Sequence, residues 1–293
     1  MNSLNLGGHS GCGIFLMEEN DGTVFVRKIS KDAAYNNRLQ AQCAKQRSFA
    51  GSRILAPAVL REGIDPQGRF FFDMEYIQGV TLAEYIKTME IGKIRGLVST
   101  LVENLFPMDG AVSNKDPEVV NQVFKEKLDS LDQTLFGIEN DYVKQAMEML
   151  RRHDWSNIGA SACHGDLTLE NIIVKNDRMY LIDFLDSFYD SWLLDMGTLL
   201  QDVQALWSYR KEESLSMNTV LRLIVFRDVL VDTVGAINPI YQDEIYYALL
   251  LKLVRIYPYT TDHATLRFLD GKLQQIVMRL KSAGKEGLKW EER

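Results

Sequence analysis

Cysteine is sparse in this chain of 293 residues, with only Cys12, Cys43 and Cys163 present. Their spacings match no zinc-ligand or Cys-x-x-Cys pattern, and an odd number suits a reducing compartment better than a disulfide framework. An excess of basic charge is lacking too: 40 acidic residues outnumber 33 Lys and Arg, for a net charge of −7. A nucleic-acid binder would need a basic surface to displace counterions, so no nucleic-acid partner is expected. Phosphate chemistry stays open, because a nucleotide needs only a local cation and a metal. No run approaches 18 uninterrupted apolar residues, so neither a spanning helix nor a membrane partner is expected. The first residues carry no basic stretch followed by a long apolar one, and no signal peptide is expected. Internal repeats and low-complexity stretches are missing as well. What is there, 46% hydrophobic and 25% charged residues, is ordinary for a folded core. The expectation is a soluble cytoplasmic protein of one large or two-lobed domain.

Residues 1–78 read mainly as strands with one helix. Apolar runs at 13–18 and 23–29 flank Asn20-Asp21-Gly22, a strong hairpin signal. Residues 31–50 have helical spacing and stop at Gly51. Strands follow near 58–62 and 70–76, joined by Asp65-Pro66-Gln67-Gly68, where Pro presets φ and Gly tolerates positive φ. After Gly79 the character changes. Thr81 with Glu84 resembles a capping box. Ile94, Leu97, Val98, Leu101 and Leu105 share one helical face, as do Val120, Val123, Phe124 and Leu131. Two short apolar runs at 172–174 and 179–184 form a hairpin around Lys175-Asn176-Asp177-Arg178. Helical patterns then resume to the end, with Leu269, Leu273, Ile276 and Leu280 as the last stripe. The pattern predicts an α+β protein: a β-rich N-terminal lobe over 1–78, a connector near 74–80, and a mostly helical C-terminal lobe over 79–293.

The chemistry is concentrated in His164-Gly165-Asp166-Leu167-Thr168-Leu169-Glu170-Asn171, followed by Leu181-Ile182-Asp183-Phe184. Phosphoryl transfer asks little covalent chemistry of a protein. It needs a base beside the attacking hydroxyl and hard oxygen ligands for Mg²⁺, which carboxylates and amides supply. Asn171 is expected to open the first strand of the hairpin and Asp183 to end the second, so antiparallel pairing brings both to one end. Asp166, in the preceding loop, can then sit opposite them. Any one of these residues alone would be an ordinary turn residue. The joint spacing in a hairpin context is much more specific.

These motifs resemble the aminoglycoside phosphotransferase and choline kinase family, a branch of the protein-kinase-like fold. Gly165, Thr168 and Leu185 stand where protein kinases commonly carry Arg, Lys and Gly, which favours a small-molecule acceptor. The resemblance implies Asp166 as catalytic base and Asn171 and Asp183 as Mg²⁺ ligands. It implies that His164 supports the loop. It also implies that Asp195, in Leu194-Asp195-Met196-Gly197, braces the loop; a helix N-cap role explains that residue equally well. Asp186 and Asp190 crowd the same stretch and fit a second metal or a cationic substrate, or simply a solvated loop.

At the nucleotide end, the glycine-rich segment with Gly8, Ser10 and Gly11 can bring backbone N–H groups close to phosphates. Val24, Val26 and Lys28 alternate onto one strand face. Lys28 matches the family's phosphate-pairing lysine, with Val26 beside the adenine; a strand-end surface lysine would read the same. The stretch 72–79 resembles the family's hinge, with Met74, Glu75 and Ile77 at the adenine edge. One departure stands out. The helix after the lysine strand usually supplies a Glu, yet no acidic residue lies between Ala33 and Leu60. Gln42 or Gln46 sits at the expected spacing as a neutral partner.

The expected cofactors are ATP, or GTP, with Mg²⁺. The acceptor is a small molecule such as a sugar, amino alcohol or aminoglycoside, with a polyol hydroxyl preferred. Gln201, Asp202, Trp207 and Tyr209 are substrate candidates by position. A protein kinase and a catalytically inactive nucleotide-binding module are the competing readings. The oligomeric state is not legible.

Overall fold

Alternating apolar and polar residues in the first seventy-five positions build an antiparallel sheet in the order β1-β2-β3-β6-β5. Its strands are β1 (Asn2–Asn5), β2 (Gly13–Glu18), β3 (Val24–Ile29), β5 (Val59–Ile64) and β6 (Phe70–Glu75). The structure is a computed structural model and describes residues 2–7, 11–107 and 116–290. The β2–β3 turn closes at Gly22, whose φ of +86° needs a residue without Cβ. Helix α1 (Asn36–Ser48) crosses between β3 and β5. Asn36 pins its start, donating to Gly68 O and accepting from Phe70 N. Leu39 and Cys43 on its inner face join Phe70, Phe72 and Met74 in one apolar cluster.

A second, four-stranded sheet runs β4-β9-β8-β7, from β4 (Ile54–Leu55), β7 (Val80–Thr81), β8 (Ile172–Lys175) and β9 (Arg178–Leu181). Asn176 and Asp177 both have positive φ, the type I′ turn that suits a two-residue hairpin. Thr81 Oγ1 accepts from Glu84 N, 3.3 Å away, at the start of α2 (Leu82–Thr88).

Contacts divide the chain into two compact units. The first is Met1–Tyr85 with His164–Asp166 and Glu170–Ser187; the second is Ile86–Cys163 with Leu167–Leu169 and Phe188–Arg293. This differs from a linear division near residue 78. The hairpin lies far along the chain, but its strands pair with β4 and β7, so it belongs to the first unit.

The second unit is helical: α3 (Ile91–Leu105), α4 (Pro117–Thr134), α5 (Asp141–Arg152), α6 (Trp192–Val203), α7 (Met217–Ile237), α8 (Ile240–Ile256) and α9 (His263–Trp290). Asp116 before Pro117, Asn140 and Ser216 cap three of them through side-chain oxygens. Every residue of α6 is buried, the signature of a core helix. It packs on α8, with Gly197 against Ala248, as α3 packs on α7. Ile94, Val98, Leu101 and Leu105 are buried as their spacing predicts. Among the described residues no helix is long and apolar enough to cross a membrane.

Candidate active site

Strand alternation splits two adjacent cations. Arg27 faces one side of β3 and grips the fully buried Asp73 with two bonds of 2.7 and 2.9 Å. Lys28 faces the other and is 2% exposed, which leaves no room for a surface-lysine reading. An ammonium so buried must be compensated. Its Nζ donates to Gln42 Oε1 at 3.0 Å and to Asp183 Oδ1 at 2.5 Å. Gln42 thus stands where the usual Glu is lacking. Gln46 takes no part in holding the lysine: its Nε2 donates to Pro57 O at 2.8 Å.

His164 organises the segment that carries Asp166. Its Nε2 lies 2.8 Å from Ile182 O, and its Nδ1 lies 3.3 Å from Asp166 N. A carbonyl can only accept and a backbone N–H can only donate, so the ring is the neutral Nε2–H tautomer. His164 O also accepts from Leu185 N. One fully buried imidazole therefore ties the Asp166 loop to the segment carrying Asp183. Gly165 has φ +95°, and a Cβ there would meet Leu185 O at 2.3 Å. Only glycine fits this position.

Asn171 Nδ2 donates to Asp166 O at 2.9 Å. With the nitrogen committed, the amide oxygen is the atom that remains for a metal. Asn171 lies in a 3-10 turn just before β8, and its carbonyl accepts from Ile182 N. Asp183 corrects a detail: β9 ends at Leu181, so Asp183 sits two residues past the strand, at φ +61°. That left-handed backbone is tolerated best by Asp and Asn among residues with a side chain. The ladder ends where Asn171 lies in its 3-10 turn and Asp183 turns left-handed, and the Ile182 carbonyl accepts from His164.

A cavity of about 140 Å³ opens beside Lys28 and Asp183, lined by Ile14, Val26, Phe72, Ile173, Ile182 and Phe184 together with Met74, Glu75, Tyr76 and Ile77. An apolar space of that order accommodates an aromatic ring. Val26 lines it, and Phe25 on the opposite face does not. Gly11 has φ +75°; Gly8 and Ser10 lie outside the described residues. Asn171 and Asp183 supply hard oxygens, which suit Mg²⁺. Among the described residues no group of three or more His, Cys, Asp or Glu side chains could hold a metal ion, so the second-metal reading of Asp186 and Asp190 finds no cluster.

Several expectations change. Asp186 accepts from Arg38 Nε at 2.7 Å and from Gln42 Nε2 at 3.2 Å. Burial works against its charge, but the bonds from Arg38 and Gln42 outweigh that and hold its carboxyl below the ordinary value. Asp190 belongs to the second unit and accepts from the Cys163 thiol. Asp202 is fully buried in α6, and its two oxygens accept from Leu169 N at 2.6 Å and Ser208 N at 2.9 Å. It is a backbone clamp, not a substrate ligand. Asp195 is buried within the first turn of α6, whose N-cap is Ser191, so the capping alternative fails. Gln201 and Tyr209 are buried and Trp207 is half-buried in the same unit. Sequence reading missed Arg38, Ile173 and Phe184. The one-turn spacing of Arg38 and Gln42 on α1 was the available signal for the first; Phe184 packs in tilted contact with both Phe49 and His164.

Against known proteins, the model of the phosphotransferase enzyme family matches residues 5–216. Comparison with curated protein sequences returns no match. Among solved structures, a thermostable mutant of the aminoglycoside phosphotransferase APH(4)-Ia in its apo form is similar at 15% identity. It covers 95% of this chain and 94% of its own, with a TM-score of 0.64. A further mutant of the same enzyme, in ternary complex with ADP and hygromycin B, gives 14% identity, 94% and 93% coverage, and 0.63. The amicoumacin kinase hAmiN, in complex with AMP-PNP, Ca²⁺ and Ami, gives 14% identity, 94% and 88% coverage, and 0.58. These likenesses are of fold, a protein-kinase-like arrangement with a β-rich N-terminal part and a helical C-terminal part. With its family model covering well over half of its length, the chain belongs to the phosphotransferase enzyme family.

Proposed function

We propose that the protein transfers the γ-phosphate of ATP, or of GTP, to a hydroxyl of a small molecule. The observation that carries this reading is a pair of hydrogen-bonded groups, His164 with Asp166 and Asn171, and Lys28 with Asp183, joined through the backbone of Ile182, the second of them lining an apolar cavity. The cavity would hold the base, with the backbone of Glu75 and Ile77 reading its edge. Lys28 would pair with the α- and β-phosphates. Asn171 Oδ1 and the Asp183 carboxylate would hold Mg²⁺. Held by these two residues, it would neutralise charge on the β- and γ-phosphates. Asp166 would take the hydroxyl proton as the acceptor oxygen bonds to the γ-phosphorus and the bond to the β-phosphate oxygen breaks, releasing ADP. His164 keeps the Asp166 loop in register and moves no proton itself.

AMP-PNP and Ca²⁺ in the amicoumacin kinase structure support a metal–nucleotide pair of this kind. A polyol or sugar hydroxyl is the preferred acceptor. A cytoplasmic location accords with three free thiols. The test is a panel of small hydroxylated metabolites screened for ADP or GDP release, with Asp166→Ala as control. That variant should still bind nucleotide while turnover disappears; unchanged turnover would overturn the assignment of the base.

A further inference from the structure

The ordinary partner of a phosphate-binding lysine in this setting is one carboxylate on the following helix, and α1 has none. Its place is filled by two residues in series. Gln42 Oε1 accepts from Lys28 Nζ at 3.0 Å, and Gln42 Nε2 donates to Asp186 Oδ1 at 3.2 Å. The amide orientation is not arbitrary: an ammonium only donates and a carboxylate only accepts, so Oε1 faces Lys28 and Nε2 faces Asp186, with the Tyr35 hydroxyl a second acceptor for Nε2 at 3.4 Å. Arg38, one turn earlier on α1, fixes the same Asp186 oxygen at 2.7 Å.

We propose that Asp186, acting through Gln42, is a positioning residue for Lys28, and that Gln42 and Asp186 together stand in for the single missing glutamate. This rests on the reading of Lys28 as the phosphate ligand. Asp183 cannot serve both Lys28 and a metal ion with undiminished charge, so when a metal–nucleotide complex binds, Lys28 needs another hold. A neutral amide alone offers a weak one. An amide whose N–H points at a carboxylate is polarised, and its oxygen becomes a better acceptor. The negative charge is thus displaced by one side chain from where a glutamate would carry it, onto the segment that follows Asp183.

The experiment is a charge swap. Gln42→Glu, Asp186→Asn and the double variant are compared with the parent for binding of Mg²⁺·AMP-PNP and of adenosine by calorimetry, with melting curves to verify folding. Each single change should weaken Mg²⁺·AMP-PNP by about tenfold, one by setting two carboxylates together and the other by removing the charge. The double variant restores one carboxylate, one amide and their bond in reversed order, and its affinity should return to within about threefold of the parent. Adenosine, without phosphates, should bind all four proteins alike, which a general loss of structure would not allow. Additive losses in the double variant, or an Asp186→Asn protein that binds Mg²⁺·AMP-PNP as the parent does, would overturn the proposal. Asp186 is 41% exposed at its side chain, so its substitution tests the proposal even if Gln42→Glu does not fold. A parent protein that binds no Mg²⁺·AMP-PNP would instead refute the nucleotide site itself.

Discussion

Lys28 and Asp183 form an ion pair, Nζ to Oδ1 2.5 Å, that is unequal in exposure: the lysine side chain is 3% exposed and the aspartate 31%. The two partners therefore differ in what their loss leaves behind. Without Asp183, the ammonium stays buried and keeps its bond to Gln42. Without Lys28, the carboxylate can turn to water. Breaking a buried pair by removing one partner costs about 3–5 kcal/mol, and less where the survivor can hydrate. Asp183→Ala should therefore destabilise the ligand-free protein by roughly 2–4 kcal/mol, and Lys28→Met by about 1 kcal/mol. Urea melts of both variants check this. The opposite order would show that the lysine is hydrated in solution.

Asp202 is expected to matter for stability through the backbone. Each of its oxygens accepts one buried N–H, from Leu169 and from Ser208. Asp202→Asn keeps the volume but turns a donating NH₂ toward one of those N–H groups. The lost charge-assisted bond and the facing donors should cost about 2–3 kcal/mol. Because Leu169 lies in the chain between Asp166 and Asn171, turnover should fall more than nucleotide affinity. An Asp202→Asn protein that melts like the parent would count against the clamp.

His164 offers a sharper separation. His164→Ala removes the donor to Ile182 O, the acceptor of Asp166 N, and the packing against Phe184. Truncating a buried aromatic ring that also serves two backbone groups costs about 3–5 kcal/mol. His164→Gln can keep one of the two bonds and should recover part of that. Equal melting curves for Ala and Gln would mean that packing alone, and not bonding, holds the loop.

The motif from 164 to 184 was legible because its parts are close in the chain and its spacing carries the chemistry. That a glutamine could replace the missing acid was legible from the spacing, but the choice of Gln42 over Gln46 came only with the folded chain. Asp186 was visible as a charge, but its partner Arg38 lies 148 residues away, and only the folded chain brings the two together. Asp190 is exposed, as the solvated-loop alternative had it, but Asp202 was misread because charge in a sequence suggests solvent or ligand. In a helix such as α6, buried on every side, periodicity gives no warning that a carboxylate will face backbone N–H groups instead. The end of β9 was misplaced because Asp183 adopts φ +61°, a left-handed turn that strand propensity does not register.

Cys43 supplies a pH prediction that is independent of the active site. It is 1% exposed on the inner face of α1, and burial pushes its thiol from 9.0 to about 11, with Glu62 adding to the shift and Arg47 opposing it. The thiolate is the reactive form, so iodoacetamide at pH 8 should leave Cys43 unmodified in the native protein and label it after unfolding. The sign for stability follows. In the unfolded chain the thiol ionises near 9, while in the folded chain it holds its proton to about 11. The unfolded state is thus favoured progressively between those values, and stability present below pH 9 is lost as pH rises toward 11. A shift of this size in one group corresponds to about 2–3 kcal/mol. Cys43→Ala, referenced to its own stability at pH 8, should show a loss between pH 8 and 11 that is smaller by about that amount. A variant whose alkaline loss matches the parent would mean that other groups, the buried tyrosines among them, carry the alkaline limb.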